Sequence, residues 1–279
     1  MNGPQTLSRP LAARVASLPA AEEPIDAPPV SAGVIAAAEA ALEAGKTHYT
    51  DRPGILPLRE RISEWFGYLD IPPDQITITI GVTEARFVTF KQLVPEGSRI
   101  IVLGDPKPVE PLARLLSLDL RVFPATAHDD DSRDEVLREA AAEFSGANLV
   151  YGSSLYVMMR LLYLNLEQDK EMWGEENLAG PVRPLPPYLV CELFDPSGQL
   201  EVGDWERRQV QRMAQYGHKL SGGQDKIVYI GEFDDLPGWR VGFMAGSKAA
   251  NKLRAYKQSM TICSPSISQW AALGLEGSA

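Results

Sequence analysis

Several stretches of this sequence carry side chains able to do chemistry. His128-Asp129-Asp130-Asp131 sets an imidazole beside three carboxylates, which have the atoms to hold a cation. The run opens an amphipathic stretch, however, and acidic residues there usually pair with a helix N-terminal dipole. His218 lies near Ser221, but no Gly-x-Ser-x-Gly elbow surrounds that serine, and Ser221-Gly222-Gly223-Gln224 reads as a flexible turn. Cys191 and Cys263 are the only cysteines. They are far apart and belong to no Cys-x-x-Cys or Cys/His cluster, so neither a disulfide framework nor a metal site is expected. Glu192, Asp234 and Asp235 are candidate acids or bases, although no convergent nucleophile or metal set accompanies them.

The elements that must position these groups follow an alternating pattern. Residues 1–30, rich in Ala and Pro, read as an N-terminal arm. Ser31 caps a helix that runs to a stop at Gly45, and Leu56–Phe66 forms a second, amphipathic helix with Leu58, Ile62, Trp65 and Phe66 on one face. After the Pro72-Pro73-Asp74 turn, Gln75–Ile80 alternates Ile and Thr as a strand, and a helix covers Thr83–Leu93. Further strands are expected at Arg99–Leu103, Leu120–Phe123, Ala147–Tyr151, Tyr188–Leu193, Lys226–Ile230 and Arg240–Ala245. Helices are expected at Glu110–Ser117, Asp130–Phe144, Tyr156–Leu166, Trp205–Tyr216 and Lys248–Ser259, with a polar loop over Glu175–Pro187. Such alternation predicts an α/β three-layer sandwich with a mostly parallel sheet, whose ligands sit at the C-terminal strand ends.

Four stretches in this order carry a resemblance. They are Tyr49-Thr50-Asp51-Arg52-Pro53-Gly54-Ile55-Leu56-Pro57-Leu58-Arg59, Ile78-Thr79-Ile80-Gly81-Val82-Thr83-Glu84-Ala85, Gly97–Pro106, and Leu236-Pro237-Gly238-Trp239-Arg240-Val241-Gly242-Phe243. With Ser264-Pro265-Ser266-Ile267-Ser268-Gln269 behind them, they resemble the class I/II, fold-type I aminotransferases that depend on pyridoxal phosphate. The resemblance implies the large domain of that fold over residues 31–279, the C-terminal small domain missing, and a reduced small-domain element in the arm. It also implies a phosphate cup. Backbone N–H groups at a helix start, a hydroxyl and an arginine offset the phosphate charge. Here they would be Gly81, Val82, Thr83 and Arg240, with Tyr49 reaching the phosphate of a neighbouring subunit. The alternative is that Gly81 and Thr83 only make a tight turn and cap a helix.

The same resemblance shows what is lacking. The family's Schiff-base lysine lies seven or eight positions before the arginine, which points to Phe233 or Glu232. The stretch Gly231-Glu232-Phe233-Asp234-Asp235-Leu236 contains no lysine, and Lys226 and Lys248 lie on neighbouring elements. Glu232, Asp234 and Asp235 place like charge beside an incoming phosphate, which disfavours it by several kcal/mol. Cys191 replaces the aspartate that pairs with the pyridine nitrogen, and Phe194 replaces the tyrosine after it. Glu192 should point to the opposite strand face. Lys107-Pro108-Val109 lacks the stacking aromatic after Asp105-Pro106, and Gly152-Ser153-Ser154 lacks the asparagine of the family's Asn-Pro turn.

The chain has 279 residues, 44% of them hydrophobic, which is enough for a large core. Its net charge of −10, without a Lys/Arg block, argues against nucleic acid and anionic membrane as partners. No signal-like N-terminus or membrane-spanning stretch is present, so a cytoplasmic protein is expected. The expected function is that of a non-catalytic aminotransferase-like protein with no cofactor. It would form a homodimer, or a heterodimer in which Tyr49 completes the site of an active paralogue. The alternative is a divergent enzyme of amino-acid or secondary metabolism that binds pyridoxal phosphate non-covalently. A third is a scaffold or ligand sensor that kept the fold for its surface.

Overall fold

A computed structural model describes residues 30–125, 130–162, 164, 188–193, 227–233, 236 and 238–275. Seven strands form one sheet: β1 (Ile76–Ile80), β2 (Arg99–Leu103), β3 (Asp119–Phe123), β4 (Leu149–Gly152), β5 (Tyr188–Leu193), β6 (Ile227–Glu232) and β7 (Val241–Ala245). Their order is β1-β7-β6-β5-β4-β2-β3. The strands from β6 to β3 pair in parallel, and β7 runs antiparallel to both its neighbours, β1 and β6. The helices are α1 (Ala32–Glu43), α2 (Leu56–Trp65), α3 (Gly81–Leu93), α4 (Glu110–Leu115), α5 (Asp130–Ala142), α6 (155–162), α7 (Ser247–Thr261) and α8 (Ser266–Ala272).

Helices cover both faces of the sheet, as the alternating pattern requires. One core layer joins Val34 of α1, Leu58 and Ile62 of α2, Leu137 of α5, Met158 and Leu161 of α6 and Ala271 of α8 to Ile78, Ile101, Cys191 and Phe243 of the sheet. The other packs Val82, Val88 and Phe90 of α3 and Leu253 of α7 against Ile100, Val102, Tyr151, Val190 and Met244. Successive strand residues fall in opposite layers because side chains alternate along a strand. Buried central strands therefore read as unbroken apolar runs.

Element ends depart from the sequence expectation where the backbone turns. Helix α3 starts at Gly81, two residues before Thr83, because Gly81 takes φ +68° at the strand-to-helix corner. Strand β7 begins at Val241 because Arg240 sits at φ +55°, outside extended geometry. The arm (1–29), the loop at 175–187, the helix at 205–216, Phe194, Asp234, Asp235, His128, Asp129, His218 and Ser221 lie outside the described residues. Among the described residues no helix is long and apolar enough to cross a membrane, and no group of three or more His, Cys, Asp or Glu could hold a metal ion.

Two features seat α3 on the sheet. The first is close backbone approach: a Cβ on Gly242 would lie 2.6 Å from the Gly81 carbonyl carbon and 2.7 Å from the Gly231 oxygen. The second is a buried charge cluster. The Arg86 Nε donates to Glu192 Oε2 at 2.7 Å, its Nη2 donates to Oε1, and the Tyr151 hydroxyl donates to Glu192 as well. Glu192 is only 3% exposed. Burial alone would depress the Arg86 pKa, but the hydrogen bond and charge of Glu192 hold it above its ordinary value. Burial first, and the Glu192 charge second, push the Tyr151 phenol up.

Gly242→Ala is expected to destabilise the protein by about 1–3 kcal/mol, read from urea midpoints, because backbone rather than a movable side chain blocks the new methyl group. Glu192→Ala strands a buried guanidinium and should lose about 3–5 kcal/mol. The Arg86→Met/Glu192→Leu double variant should lose clearly less than the two single losses added together, with a coupling above about 1 kcal/mol. Additive losses would mean that the pair carries no energy of its own.

Candidate functional site

The candidate site lies where β1, β6 and β7 meet. Because β7 runs antiparallel between the other two, its first two residues pair with their last ones: Val241 faces Ile80, and Gly242 faces Glu232. Arg240, just before β7, therefore stands beside the head of α3, as does the last side chain of β6. The β6–β7 hairpin end and the β1–α3 corner, about 150 residues apart in sequence, meet here because of strand direction.

At this junction the Glu232 carboxylate accepts a hydrogen bond from the Val82 N–H at 2.9 Å. A Cβ placed on Gly81 would lie 2.7 Å from Glu232 Oε2 and 2.9 Å from both Cζ and Nη2 of Arg240. A carboxylate and a guanidinium thus converge over Gly81, where no side chain stands in their way. Glu84, in the first turn of α3, accepts from the Ile80 N–H at 2.7 Å and from the Thr261 hydroxyl at 2.8 Å. Two carboxylates therefore serve the first N–H groups of this helix, where the aligned peptide dipoles favour negative charge. The position that an incoming anion would take at Val82 is held by the chain's own carboxylate.

The structure brings together Gly81, Val82, Arg240 and Glu232, and it leaves Thr83 and Arg240 exposed. The sequence pointed equally to Glu232 and Phe233 as the residue at the lysine position. Glu232 is the one turned to the head of α3. Phe233 is 1% exposed and packs edge-on against Trp65, ring centroids 5.3 Å apart. Cys191 is fully buried, and burial first, then the Glu192 charge, push its thiol up. Glu192 faces α3, whereas Cys191 belongs to the other core layer.

Tyr49 is not gathered into this junction and is 83% exposed. Its loop is tied down next door. Gln269 Oε1 accepts from Ile55 N–H at 2.9 Å, and its Nε2 donates to the Ser264 carbonyl at 2.9 Å and to Thr50 Oγ1 at 3.3 Å. Ser264 donates to the Ile78 carbonyl at 3.1 Å. The Ser264–Gln269 stretch thus braces both the Tyr49 loop and β1. Lys257 is fully buried, and its Nζ donates to the Ser264 hydroxyl at 3.3 Å. Burial lowers its pKa, with Glu84 and Cys263 acting in the opposite sense. This amine is committed to the brace.

Arg86, Tyr151, Glu84 and Lys257 were not singled out from sequence. Of Arg86 and Glu192 only the second left a signal, as a lone charge inside the apolar run Leu189–Phe194, and buried charges need partners. Nothing local in the sequence indicates that they pair with each other.

Comparison with known proteins gives a consistent result. No family model matches the chain. It is 26% identical over 239 residues to the (5-formylfuran-3-yl)methyl phosphate transaminase of Methanocaldococcus jannaschii, covering 83% of this chain and 57% of that protein. To an aspartate aminotransferase of Thermotoga maritima it is 27% identical over 245 residues, covering 83% of this chain and 59% of the relative. The chain thus spans less than two thirds of the length of these relatives. The crystal structure of the Thermotoga maritima aspartate aminotransferase superposes with a TM-score of 0.65 at 24% identity, covering 88% of this chain and 63% of that one. At these identities the chain is similar to aminotransferases along most of its length, and its sheet and helices have the fold of the fold-type I, pyridoxal-phosphate-dependent aminotransferases.

Proposed function

We propose that this protein is a non-catalytic member of its family and acts through association, as the partner subunit of an active aminotransferase or of a second copy of itself. The observation that carries the reading is Glu232, whose carboxylate stands at the lysine position and bonds to Val82 N–H. Pyridoxal phosphate supplies aminotransferases with an electron sink, reached through a lysine amine. The residues here do not suit that group. A carboxylate cannot condense with an aldehyde, and its charge opposes a phosphate at the same N–H. The buried Cys191 thiol, with its raised pKa, offers no counter-charge to a pyridinium. Gly81, Val82, Thr83 and Arg240 are then a vestigial phosphate site, and Cys191, with Phe194 beyond it, a degenerate ring site.

The exposed Tyr49 supports the partnership half of the reading. A phenol presented at 83% exposure on a braced loop is available to a neighbouring subunit. We read residues 31–279 as the large domain and the protein as cytoplasmic.

A spectral titration of the purified protein with pyridoxal phosphate, followed by borohydride trapping and peptide mapping, tests the catalytic half. No saturable aldimine band and no single trapped lysine are expected. A saturable band with one trapped lysine, whether Lys226, Lys248 or Lys257, would overturn the reading. Co-expression with an intact aminotransferase tests the other half: a stoichiometric complex that Tyr49→Ala weakens is expected, and a strictly monomeric protein counts against it. Thiol titration should find one readily reacting cysteine in the native protein, the half-exposed Cys263, and two in denaturant. Rapid reaction of both in the native state would show that the Cys191 position is open to solvent.

A further inference from the structure

The bond between Glu232 and Val82 joins residues 150 positions apart at the meeting of β6 and α3. Glu84, on α3 itself, is already committed to Ile80 N–H and to Thr261, so Glu232 is the carboxylate that holds Val82. Across the junction stands an Arg240 guanidinium that makes no ion pair with a described carboxylate, and Thr83, the next residue along α3 after Val82, is exposed to solvent. Gly81 leaves the space above it free of a side chain, and the Glu232 oxygen and the Arg240 guanidinium enter that space from β6 and β7. A guanidinium with no ion-pair partner among the described residues, beside a helix head whose N–H is already occupied, is the arrangement of an anion site with its anion built in.

We propose that Glu232 is such an internal plug. Its carboxylate fills the anion position at the head of α3 and excludes phosphate-bearing ligands. Removing this one side chain opens a phosphate site made of the Val82 N–H, the Thr83 hydroxyl and the Arg240 guanidinium. The proposal rests on the non-catalytic reading above and extends it, from the loss of a lysine to the active closure of the site by its replacement. It assigns Glu232 the role of an internal anion at the head of α3. The groups facing the plug are Val82 N–H and Arg240, with Glu84 the nearest carboxylate on the same helix.

The test is the thermal midpoint of the full chain against inorganic phosphate, with chloride at equal ionic strength as the reference. The unmodified protein should show no phosphate-specific shift. Glu232→Ala should gain a saturable rise of about 2–4 °C, the size expected when a ligand binds the native state of a domain this large. Glu232→Ala/Arg240→Ala should lose at least half of that rise. Equal responses of the unmodified protein and Glu232→Ala, whether both shift or neither does, overturn the proposal. If Glu232→Ala does not fold, hydrogen exchange at the Val82 amide of the unmodified protein decides. Exchange indifferent to phosphate supports an occupied site, and exchange slowed by phosphate shows that the site is open. An aldimine in the unmodified protein would defeat the non-catalytic reading. A missing phosphate response in Glu232→Ala, with no aldimine, would defeat the plug alone.

Discussion

The first N–H groups of a buried helix need acceptors, and much of this protein's architecture answers to that need at the head of α3. The helix starts at a glycine corner, packs by backbone contact against Gly242, and receives its negative charge from Glu84 and Glu232. Dipole and hydrogen bond act together at such a terminus, so an anion there is favoured over a neutral group. In relatives of this fold a cofactor phosphate is expected to supply that charge. Here the chain supplies it from the end of β6, through the Glu232 carboxylate.

One turn further along, the same helix is anchored by Arg86 to Glu192 and through it to Tyr151. A buried ion pair is weak evidence of net stability, because its desolvation offsets much of the attraction. Its directional hydrogen bonds nevertheless fix how α3 lies across β4 and β5. The cluster and the glycine contact together set the helix axis, and the axis decides where Val82 N–H points. The plug at Glu232 therefore depends on features that contact no ligand at all.

The layered α/β architecture was legible in the sequence, because apolar strands such as Ile100–Leu103 and Val228–Ile230 alternate with amphipathic helices at spacings only a covered sheet allows. The absence of a lysine before Arg240 was equally plain. Which residue stands at the counted position was not, since counting back gives Glu232 or Phe233. The choice depended on strand register and on Trp65, a distant residue against which Phe233 packs. In sequence the acidic run reads as a repulsive surface for phosphate. The bond from Val82 to Glu232 instead makes one of those carboxylates a ligand of the helix, a contact between distant segments that no local pattern reveals. The direction of β7 was likewise invisible: Arg240–Ala245 looks like any other strand, yet only an antiparallel placement brings Arg240 to the cup.

A crystal structure of the protein grown with excess pyridoxal phosphate measures the central claim most directly, because it shows what the Val82 N–H holds. Density for the Glu232 carboxylate on that N–H, with no phosphate between Thr83 and Arg240, is the expected result. Phosphate density at that position, with Glu232 rotated away, would contradict the claim that the site is closed by its own chain.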